Sequence, residues 1–302
     1  MYKIKTINEI SKAGLELFPA DIYEVSDDIE NPDAILVRSA NLHDMDIPSN
    51  LKAIARAGAG YNNIPVDKLT EKGIVVFNTP GANANGVKEL VLTALLLSSR
   101  KIAQGIKWTQ DLKGNGPEVE KLVEKGKKQF QGPEIKGKKL GVIGLGAIGV
   151  LVANDASALG MEVIGYDPYL SIKAAWSLSR AVKRAESLEQ LLTTCDYITL
   201  HTPLTEDTKD MLNKETLSQM KPGVRIVNFA RGELVCNKDI VDALNSGQVA
   251  CYATDFPCED LLGHENVITI PHLGASTPES EDNCAIMAAE QLRNFLERGE
   301  IK

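Results

Sequence analysis

The sequence predicts an α/β protein with two doubly wound domains, each built on a parallel sheet. Its 302 residues exceed the length of one ordinary domain. Hydrophobic residues make up 43% of the chain and aromatic residues only 5%, so the apolar material is mostly small aliphatic side chains, as in buried parallel strands covered by helices. Two series of short apolar runs, each separated by helix-like segments, supply the βα alternation.

The first series occupies the first hundred residues. The run MYKIKTINEI alternates charged and apolar residues, which predicts a strand, and it has no long apolar region of the kind found in a signal peptide. Further strands are predicted in residues 33–39, 51–58 and 73–78. From residue 85 the apolar side chains keep helical spacing to about residue 100. We expect this helix to carry the chain out of the first domain.

The second series follows a polar, glycine-rich connector. Residues 105–137 form that connector, with a helix inside it. From Lys139 six strands are predicted in the runs KLGVIG, MEVIGYD, CDYITLHTP, GVRIVNFA, VACYATDF and NVITIPHL. The tetrapeptide STPE at residues 276–279 has the spacing of a capping box with proline in the first turn. It predicts a last helix, through Phe295, that packs on the first domain.

Charge and cysteine content exclude several classes of function. The net charge is −8, which would repel a nucleic acid or an anionic membrane, so neither is an expected partner. Five cysteines without CxxC spacing suggest neither a disulfide framework nor a metal site, and we expect a cytoplasmic location. The most apolar stretch, residues 90–97, is too short to span a bilayer. A small anionic substrate remains compatible with local arginines.

A glycine turn points to a dinucleotide. Gly144, Gly146 and Gly149 form GxGxxG between an apolar strand and a helical run, where they would allow a tight turn, close approach of a pyrophosphate and close helix packing. The next strand ends in Asp167, 18 residues after Gly149, where an acid would bind ribose hydroxyls and repel a 2′-phosphate. Each feature alone also fits an ordinary turn. Together they predict an NAD site.

Histidine and arginine at strand ends suggest hydride-transfer chemistry. His272 ends the last strand before the capped helix and is the candidate acid/base; a capping or buried structural histidine is the alternative. His201 ends another strand and is expected beside the cofactor, whereas His43 and His264 lie in polar loops. Arg231 also ends a strand, where a guanidinium can bind a carboxylate through two bonds, although an exposed turn arginine is possible.

These residues belong to longer motifs, by which the chain resembles the D-isomer-specific 2-hydroxyacid dehydrogenases over nearly its whole length. The motifs are VRSA from residue 37, RAGAGYNNI from 56, KLGVIGLGAIG from 139, NFARGELV from 228 and PHLGAST from 271. The resemblance implies a Rossmann NAD domain, residues 98–276, inserted in a flavodoxin-like substrate domain, residues 1–97 and 277–302. It also implies an active site in the cleft and a homodimer formed by the cofactor domains.

The resemblance also assigns roles to residues. Arg231 would bind the substrate carboxylate, His272 would be the acid/base, and Asp255 would hold the nicotinamide amide. The residues expected to contact NAD are Gly144, Gly146, Ala147, Ile148, Gly149, Asp167, His201, Thr202, Pro203, Phe229, Ala230, Arg231, Asp255, Gly274 and Ala275. Those expected to face substrate are Arg38, Ser39, Arg56, Gly58, Ala59 and Gly60, with the arginines as phosphate ligands.

The acid that partners the histidine is left open. A carboxylate near His272 would orient its ring; Glu259 and Asp260 are close in sequence to the same strand, and Asp255 ends another strand. The family usually carries DVFxxEP, whose glutamate is the partner, but this chain reads DFPCED from Asp255. Counting from Asp255 puts Asp260 at that position, whereas a one-residue gap puts Glu259 there. The chain also stops shortly after the last helix, so we expect no C-terminal regulatory domain.

Three functions follow from the resemblance. The first is oxidation of 3-phosphoglycerate to 3-phosphohydroxypyruvate in serine biosynthesis, which Arg38 and Arg56 motivate. The second is reduction of glyoxylate or hydroxypyruvate, which needs no phosphate pocket. The third is an NADH-sensing corepressor without enzymatic activity, against which the presence of both Arg231 and His272 argues.

Overall fold

The computed structural model of the protein describes residues 1–301 and divides the chain into two compact units. The first unit is Met1–Gly86 with Gly274–Lys302, and the second is Val87–Leu273. Lys302, the predicted end of the substrate domain, lies outside the described residues. Each unit contains one sheet, and all neighbouring strands of the described chain run parallel. The predicted α/β class with two parallel sheets is confirmed.

The strands and helices are numbered in chain order. The strands are β1 (Tyr2–Ile7), β2 (Tyr23–Ser26), β3 (Ala34–Val37), β4 (Ala53–Arg56), β5 (Val75–Phe77), β6 (Lys139–Ile143), β7 (Glu162–Tyr166), β8 (Lys183–Arg184), β9 (Tyr197–Leu200), β10 (Val224–Asn228), β11 (Val249–Thr254) and β12 (Val267–Thr269). The helices are α1 (Lys12–Leu15), α2 (Val66–Glu71), α3 (Ala84–Arg100), α4 (Ile102–Asp111), α5 (Val119–Gly126), α6 (Ala147–Ala158), α7 (Ile172–Ser177), α8 (Leu188–Thr194), α9 (Lys214–Gln219), α10 (Asn237–Asn245) and α11 (Pro278–Arg298).

The first unit has the strand order β2-β1-β3-β4-β5, which is the order of flavodoxin-like folds. Its last helix, α11, packs its small apolar face into the core of this unit through Ala285, Ala288 and Leu292. A Cβ at Gly14 of α1 would lie 2.6 Å from the backbone of Ala285, so glycine is needed for α1 to approach α11 this closely.

Helix α11 begins one residue later than the STPE pattern predicts. Thr277, with extended backbone, is the N-cap, and its Oγ1 accepts a hydrogen bond of 3.1 Å from the backbone N–H of Ser280. Pro278 occupies the first helical position, where its missing N–H and fixed φ cost nothing. The prediction that Ser276 and Glu279 form the capping box was therefore wrong, because proline sets the start of the helix.

The second unit has the strand order β12-β11-β10-β9-β6-β7-β8. Its first six strands in the chain, β6 to β11, follow the order 3-2-1-4-5-6 of the Rossmann fold, with β12 added at the edge. The order reverses between β6 and β9, and ligands of such sheets bind at the carboxyl ends beside that reversal. The glycine turn directly follows β6.

The two units divide at residues 86/87 and 273/274, whereas the predicted boundaries are 97/98 and 276/277. The long helix α3 accounts for the first difference. Its side chains Val87, Val91, Ala94 and Leu95 are buried in a core cluster of the second unit. Most of the helix therefore belongs to the second unit rather than to the first.

The connector is more helical than the sequence predicts. Instead of one helix it holds α4, α5 and two short 3₁₀ helices, at Gly116–Glu118 and Lys127–Phe130, none of which contains a buried residue. The sequence also misses the four-residue β2, in which only Tyr23 is buried, and the two-residue, exposed β8. Within residues 1–301 no helix combines the length and apolarity needed to cross a bilayer.

Candidate active site

The three glycines of the turn after β6 have different surroundings. Gly144 has φ +89°, and a Cβ there would lie 2.6 Å from the carbonyl oxygen of His201. A Cβ at Gly149 would collide with the carbonyl oxygen of Gly144, so helix α6 can pack on the turn only without a side chain. At Gly146 no heavy atom lies within 4 Å of the Cβ position. Gly146 therefore leaves an open backbone surface, as a bound pyrophosphate requires.

Asp167, the residue after β7, hydrogen-bonds to the glycine turn. Its Oδ2 accepts a hydrogen bond of 2.8 Å from the backbone N–H of Leu145, and its Oδ1 accepts one of 2.8 Å from Tyr169. Each carboxylate oxygen has a second lone pair that can accept from a ribose hydroxyl. Ala147 and Ile148 open helix α6 immediately after the turn.

His201 follows β9, next to the glycine turn. Its Nε2 lies 2.9 Å from the Thr199 hydroxyl, and its backbone N–H donates to Ile143 at 2.7 Å. Burial of the imidazole lowers the pKa of His201 to about 4, so the ring is neutral at pH 7. Thr202 and Pro203 continue the same loop. A neutral packing group suits the place beside a cofactor that the sequence predicts for His201.

The segment after β10 is held by Asn228, a fully buried residue that the sequence reasoning missed. Its Nδ2 donates to the carbonyl of Arg231 at 2.8 Å, and its Oδ1 accepts from the backbone N–H of Ala230 at 3.2 Å. Phe229 is buried in the core. The Arg231 side chain is exposed, and its Nη1 donates to the carbonyl of Ala230 at 2.6 Å. The backbone of this segment is fixed while the guanidinium reaches solvent.

The predicted acid/base, His272, faces a buried carboxylate. Its Nδ1 lies 3.5 Å from Oδ2 of Asp255, the residue that follows β11; the His272 side chain is 65% exposed and that of Asp255 only 2%. The ring of Phe256 packs edge-on against the imidazole, with centroids 5.3 Å apart. Burial raises the pKa of Asp255, although the nearby positive charges of His272 and Arg231 act in the opposite direction. Arg231, Asp255 and His272 thus form one cluster.

Counting along the chain left open whether Glu259 or Asp260 partners His272. Both are exposed residues of the turn after β11. Within residues 1–301, the ion pair of His272 is with Asp255 instead. The strand ends indicate Asp255 among the acids near the histidine, whereas the resemblance assigns it to the cofactor. The signal that could have placed it here is its strand: β11 pairs with β12, which leads directly to His272.

The residues expected to face substrate lie together in two loops of the first unit. After β3, the backbone N–H of Ser39 donates to Asn8 Oδ1 at 3.0 Å. After β4, Nδ2 of Asn78 holds the carbonyl of Ala59 at 2.6 Å. Arg56 folds back over its own loop, and a Cβ at Gly58 or Gly60 would lie 3.0 or 3.1 Å from its Nη1.

Arg38 forms an ion pair with Glu281 of α11, at 2.6 Å. The sequence reasoning passed over both Glu281 and Asn78, because neither stands in a motif. Gly274 and Ala275, expected to contact NAD, also lie in the first unit.

The residues present fit NAD. Oδ1 of Asp255 is buried without a hydrogen-bond partner in the described chain, and a carboxylate oxygen accepts well from a carboxamide NH₂ such as that of nicotinamide. The open backbone at Gly146 and the carboxylate of Asp167 suit the pyrophosphate and the ribose.

Comparison with known proteins gives the same assignment. Residues 92–274 match the family model described as D-isomer specific 2-hydroxyacid dehydrogenase, NAD binding domain. A D-3-phosphoglycerate dehydrogenase of Methanocaldococcus jannaschii is 39% identical over 287 residues, which cover 92% of this chain and 52% of that protein. One from Bacillus subtilis is 34% identical, covering 98% of this chain and 57% of that protein. The chain therefore spans about half the length of the curated relatives it matches.

Solved structures agree in fold. The NAD⁺-bound 3-phosphoglycerate dehydrogenase of Entamoeba histolytica has a TM-score of 0.75 and 26% identity, covering 100% of this chain and 97% of that one. The D-mandelate dehydrogenase of Rhodotorula graminis has a TM-score of 0.83 at 22% identity, covering 99% of this chain and 96% of that one, and this likeness shows the fold alone.

Proposed function

This chain belongs to the D-isomer specific 2-hydroxyacid dehydrogenase family, and on that premise we propose that it oxidises 3-phosphoglycerate to 3-phosphohydroxypyruvate with NAD⁺, the reaction of serine biosynthesis. The observation that carries the proposal is the pair of exposed His272 and buried Asp255, with Arg231 close enough to act on the same carboxylate. The choice of substrate is supported by the curated relatives at 34–39% identity, which are named for this reaction.

His272 takes the proton of the substrate hydroxyl. Because its Nδ1 faces Asp255, Nε2 is the nitrogen that remains to accept this proton. As the O–H bond breaks, the imidazole becomes a cation, and the carboxylate of Asp255 stabilises that charge and orients the ring. Bound NAD⁺ supplies the acceptor for the hydride that leaves the carbinol carbon. Loss of the proton and the hydride leaves a carbonyl, so charge and electrons balance.

Arg231 holds the substrate carboxylate. The guanidinium has five N–H donors in a plane, and the bond from Nη1 to the Ala230 carbonyl uses only one of them. The others suit a carboxylate through two parallel bonds, which a lysine ammonium does not match. For the phosphate, the proposal relies on Arg38 and Arg56 of the first unit, as the resemblance implied.

One observation favours a second candidate, reduction of hydroxypyruvate or glyoxylate. Glu281 already pairs with Arg38, and its negative charge opposes a phosphate at the same guanidinium. An unphosphorylated acid meets no such opposition.

Steady-state kinetics separate the two. We expect NAD⁺-dependent oxidation of 3-phosphoglycerate with a higher kcat/KM than that of D-glycerate, and loss of turnover in His272→Asn. A preference for the unphosphorylated acids, measured in both directions, would reject the phosphoglycerate assignment in favour of the second candidate. Absence of turnover on every acid, together with tight NADH binding, would indicate the corepressor function instead.

The expected homodimer is part of the proposal. Helix α4 presents Ile102 and Ile106, which are 42% and 59% exposed, and no residue from α4 through the second short 3₁₀ helix, Lys127–Phe130, is buried. An exposed apolar face of this kind is typical of a protein interface. Sedimentation of the purified protein tests the dimer, and the cytoplasmic location inferred from the cysteines stays a prediction.

A further inference from the structure

Two arginines stand side by side at one edge of the sheet of the first unit. Arg56 is the last residue of β4, and its register partner on β3 is Val37, the residue before Arg38. Because β3 and β4 are parallel, both arginines lie at the carboxyl ends of these strands. Open α/β sheets bind ligands at this edge. This edge therefore carries two positive charges suited to an anion.

The two guanidinium groups are not equivalent. Arg56 bonds to backbone: its Nε donates to the carbonyl of Arg38 at 3.0 Å, and its Nη1 donates to that of Gly60. These bonds hold the loops after β3 and β4 in place. In Arg38, by contrast, Nη2 lies 2.6 Å from Oε1 of Glu281. Glu281 is near the start of α11.

The ion pair between Arg38 and Glu281 remains accessible. The two side chains are 38% and 40% exposed, and pairs this open to water contribute little net stability, since water competes for both charges. A phosphate would compete for the same guanidinium, and the carboxylate of Glu281 would repel it at close range. The carboxylate of a small unphosphorylated substrate, bound elsewhere, would not meet this repulsion.

We propose that Glu281 is a specificity-determining residue that competes with the substrate's phosphate for Arg38. The proposal rests on the proposed function, since it concerns the phosphate end of the same substrate. Removing the charge of Glu281 should therefore strengthen binding of a phosphorylated acid and leave its unphosphorylated counterpart unaffected. The other reading, in which the ion pair only ties α11 to the loop after β3, predicts equal effects on both substrates.

The test compares wild type with Glu281→Gln, whose amide can still bond to Arg38. We expect the ratio of kcat/KM for 3-phosphoglycerate to that for D-glycerate to rise about tenfold, through a lower KM for the phosphorylated acid with kcat nearly constant. The matched control is Glu290→Gln, which makes the same charge change at an exposed site of the same helix. It should leave the ratio within about twofold of wild type, as a screened distant charge does.

A double variant shows whether the effect passes through Arg38. In an Arg38→Gln background, Glu281→Gln should no longer change the ratio, because the shared partner is gone. An unchanged ratio in the single variant, an equal change for both substrates, or the same gain without Arg38 would each overturn the proposal.

A binding measurement distinguishes failure of this inference from failure of the proposed function. If wild type oxidises neither acid, the proposed function fails, but 3-phosphoglycerate titrated calorimetrically into wild type and Glu281→Gln still tests the residue. Tighter binding to the variant supports the competition, and equal binding, or none to either protein, overturns it.

Discussion

Replacing Asp255 by its isosteric amide should cost activity by an amount that the structure bounds. At 3.5 Å, attraction between a carboxylate and a protonated imidazole is about 1 kcal/mol at the dielectric constant of water and about 5 kcal/mol at an effective value of 20. The His272 side chain is 65% exposed, so water screens much of this attraction. We therefore expect Asp255→Asn to raise the activation free energy by about 1–3 kcal/mol, which is roughly a ten- to hundred-fold loss of rate.

Asparagine would also change which nitrogen of the ring carries the proton. An amide NH₂ that faces Nδ1 of His272 favours the tautomer with its proton on Nε2, and that nitrogen can then no longer accept the substrate's proton. The two effects act together, so the loss of kcat in Asp255→Asn should reach about a hundred-fold or more.

The assay is formation of NADH from 3-phosphoglycerate at saturating NAD⁺, with NADH affinity measured separately by fluorescence. The controls are Glu259→Gln and Asp260→Asn, exposed acids of the neighbouring turn, which should keep activity within about twofold. The assignment of Asp255 is refuted if either control loses as much kcat as Asp255→Asn, or if Asp255→Asn keeps its kcat.

Three further predictions concern stability and reactivity. Burial raises the pKa of Asp255 above its ordinary 3.8, so the folded protein binds the carboxyl proton more tightly than the unfolded chain does, and its stability falls as pH rises above that value. Asp255→Asn should therefore raise Tm at pH 7. Thermal melts over a series of pH values should show this increase in Tm becoming smaller towards acid pH. Gly149→Ala drives a Cβ into the carbonyl of Gly144 and should destabilise the second unit by about 1–3 kcal/mol and weaken NADH binding, which denaturation and fluorescence titration measure. Burial raises the pKa of Cys195 to about 12, so iodoacetamide should label partly exposed Cys236 in the native protein and Cys195 only in denaturant, as read by mass spectrometry.

The glycine turn shows what periodicity and motifs can predict. Its strand, its helix and Asp167 are all local in the chain, and the need for glycine at Gly149 is set by a near neighbour, the carbonyl of Gly144. A local pattern therefore carried enough information to predict both the fold around it and the cofactor. The same holds for β9, β10 and β11, whose mostly apolar sequences reflect burial on both faces of the sheet.

The acid beside His272 shows where sequence reasoning stops. Counting along DFPCED compares positions in the chain, whereas the distance between two side chains depends on the pairing of β11 with β12. That pairing brings Asp255, the residue after β11, close to His272, three residues after the end of β12, and no local pattern encodes it. Glu281 escaped notice for the same reason, since its partner, Arg38, lies 243 residues away.

The short helices of the connector also affect the local stability of this segment. Segments of this length do not persist by themselves in water, and no residue from Ile102 to Phe130 is buried in a core. Trp108 and Phe130 contact each other with ring centroids 5.3 Å apart and planes tilted by 50°. The amide protons of these helices should therefore exchange through local opening at low free energy in an isolated chain. If a second copy covers this segment, mass action makes its protection rise with concentration. The order of these helices would then depend on how much protein is present as well as on their own sequence.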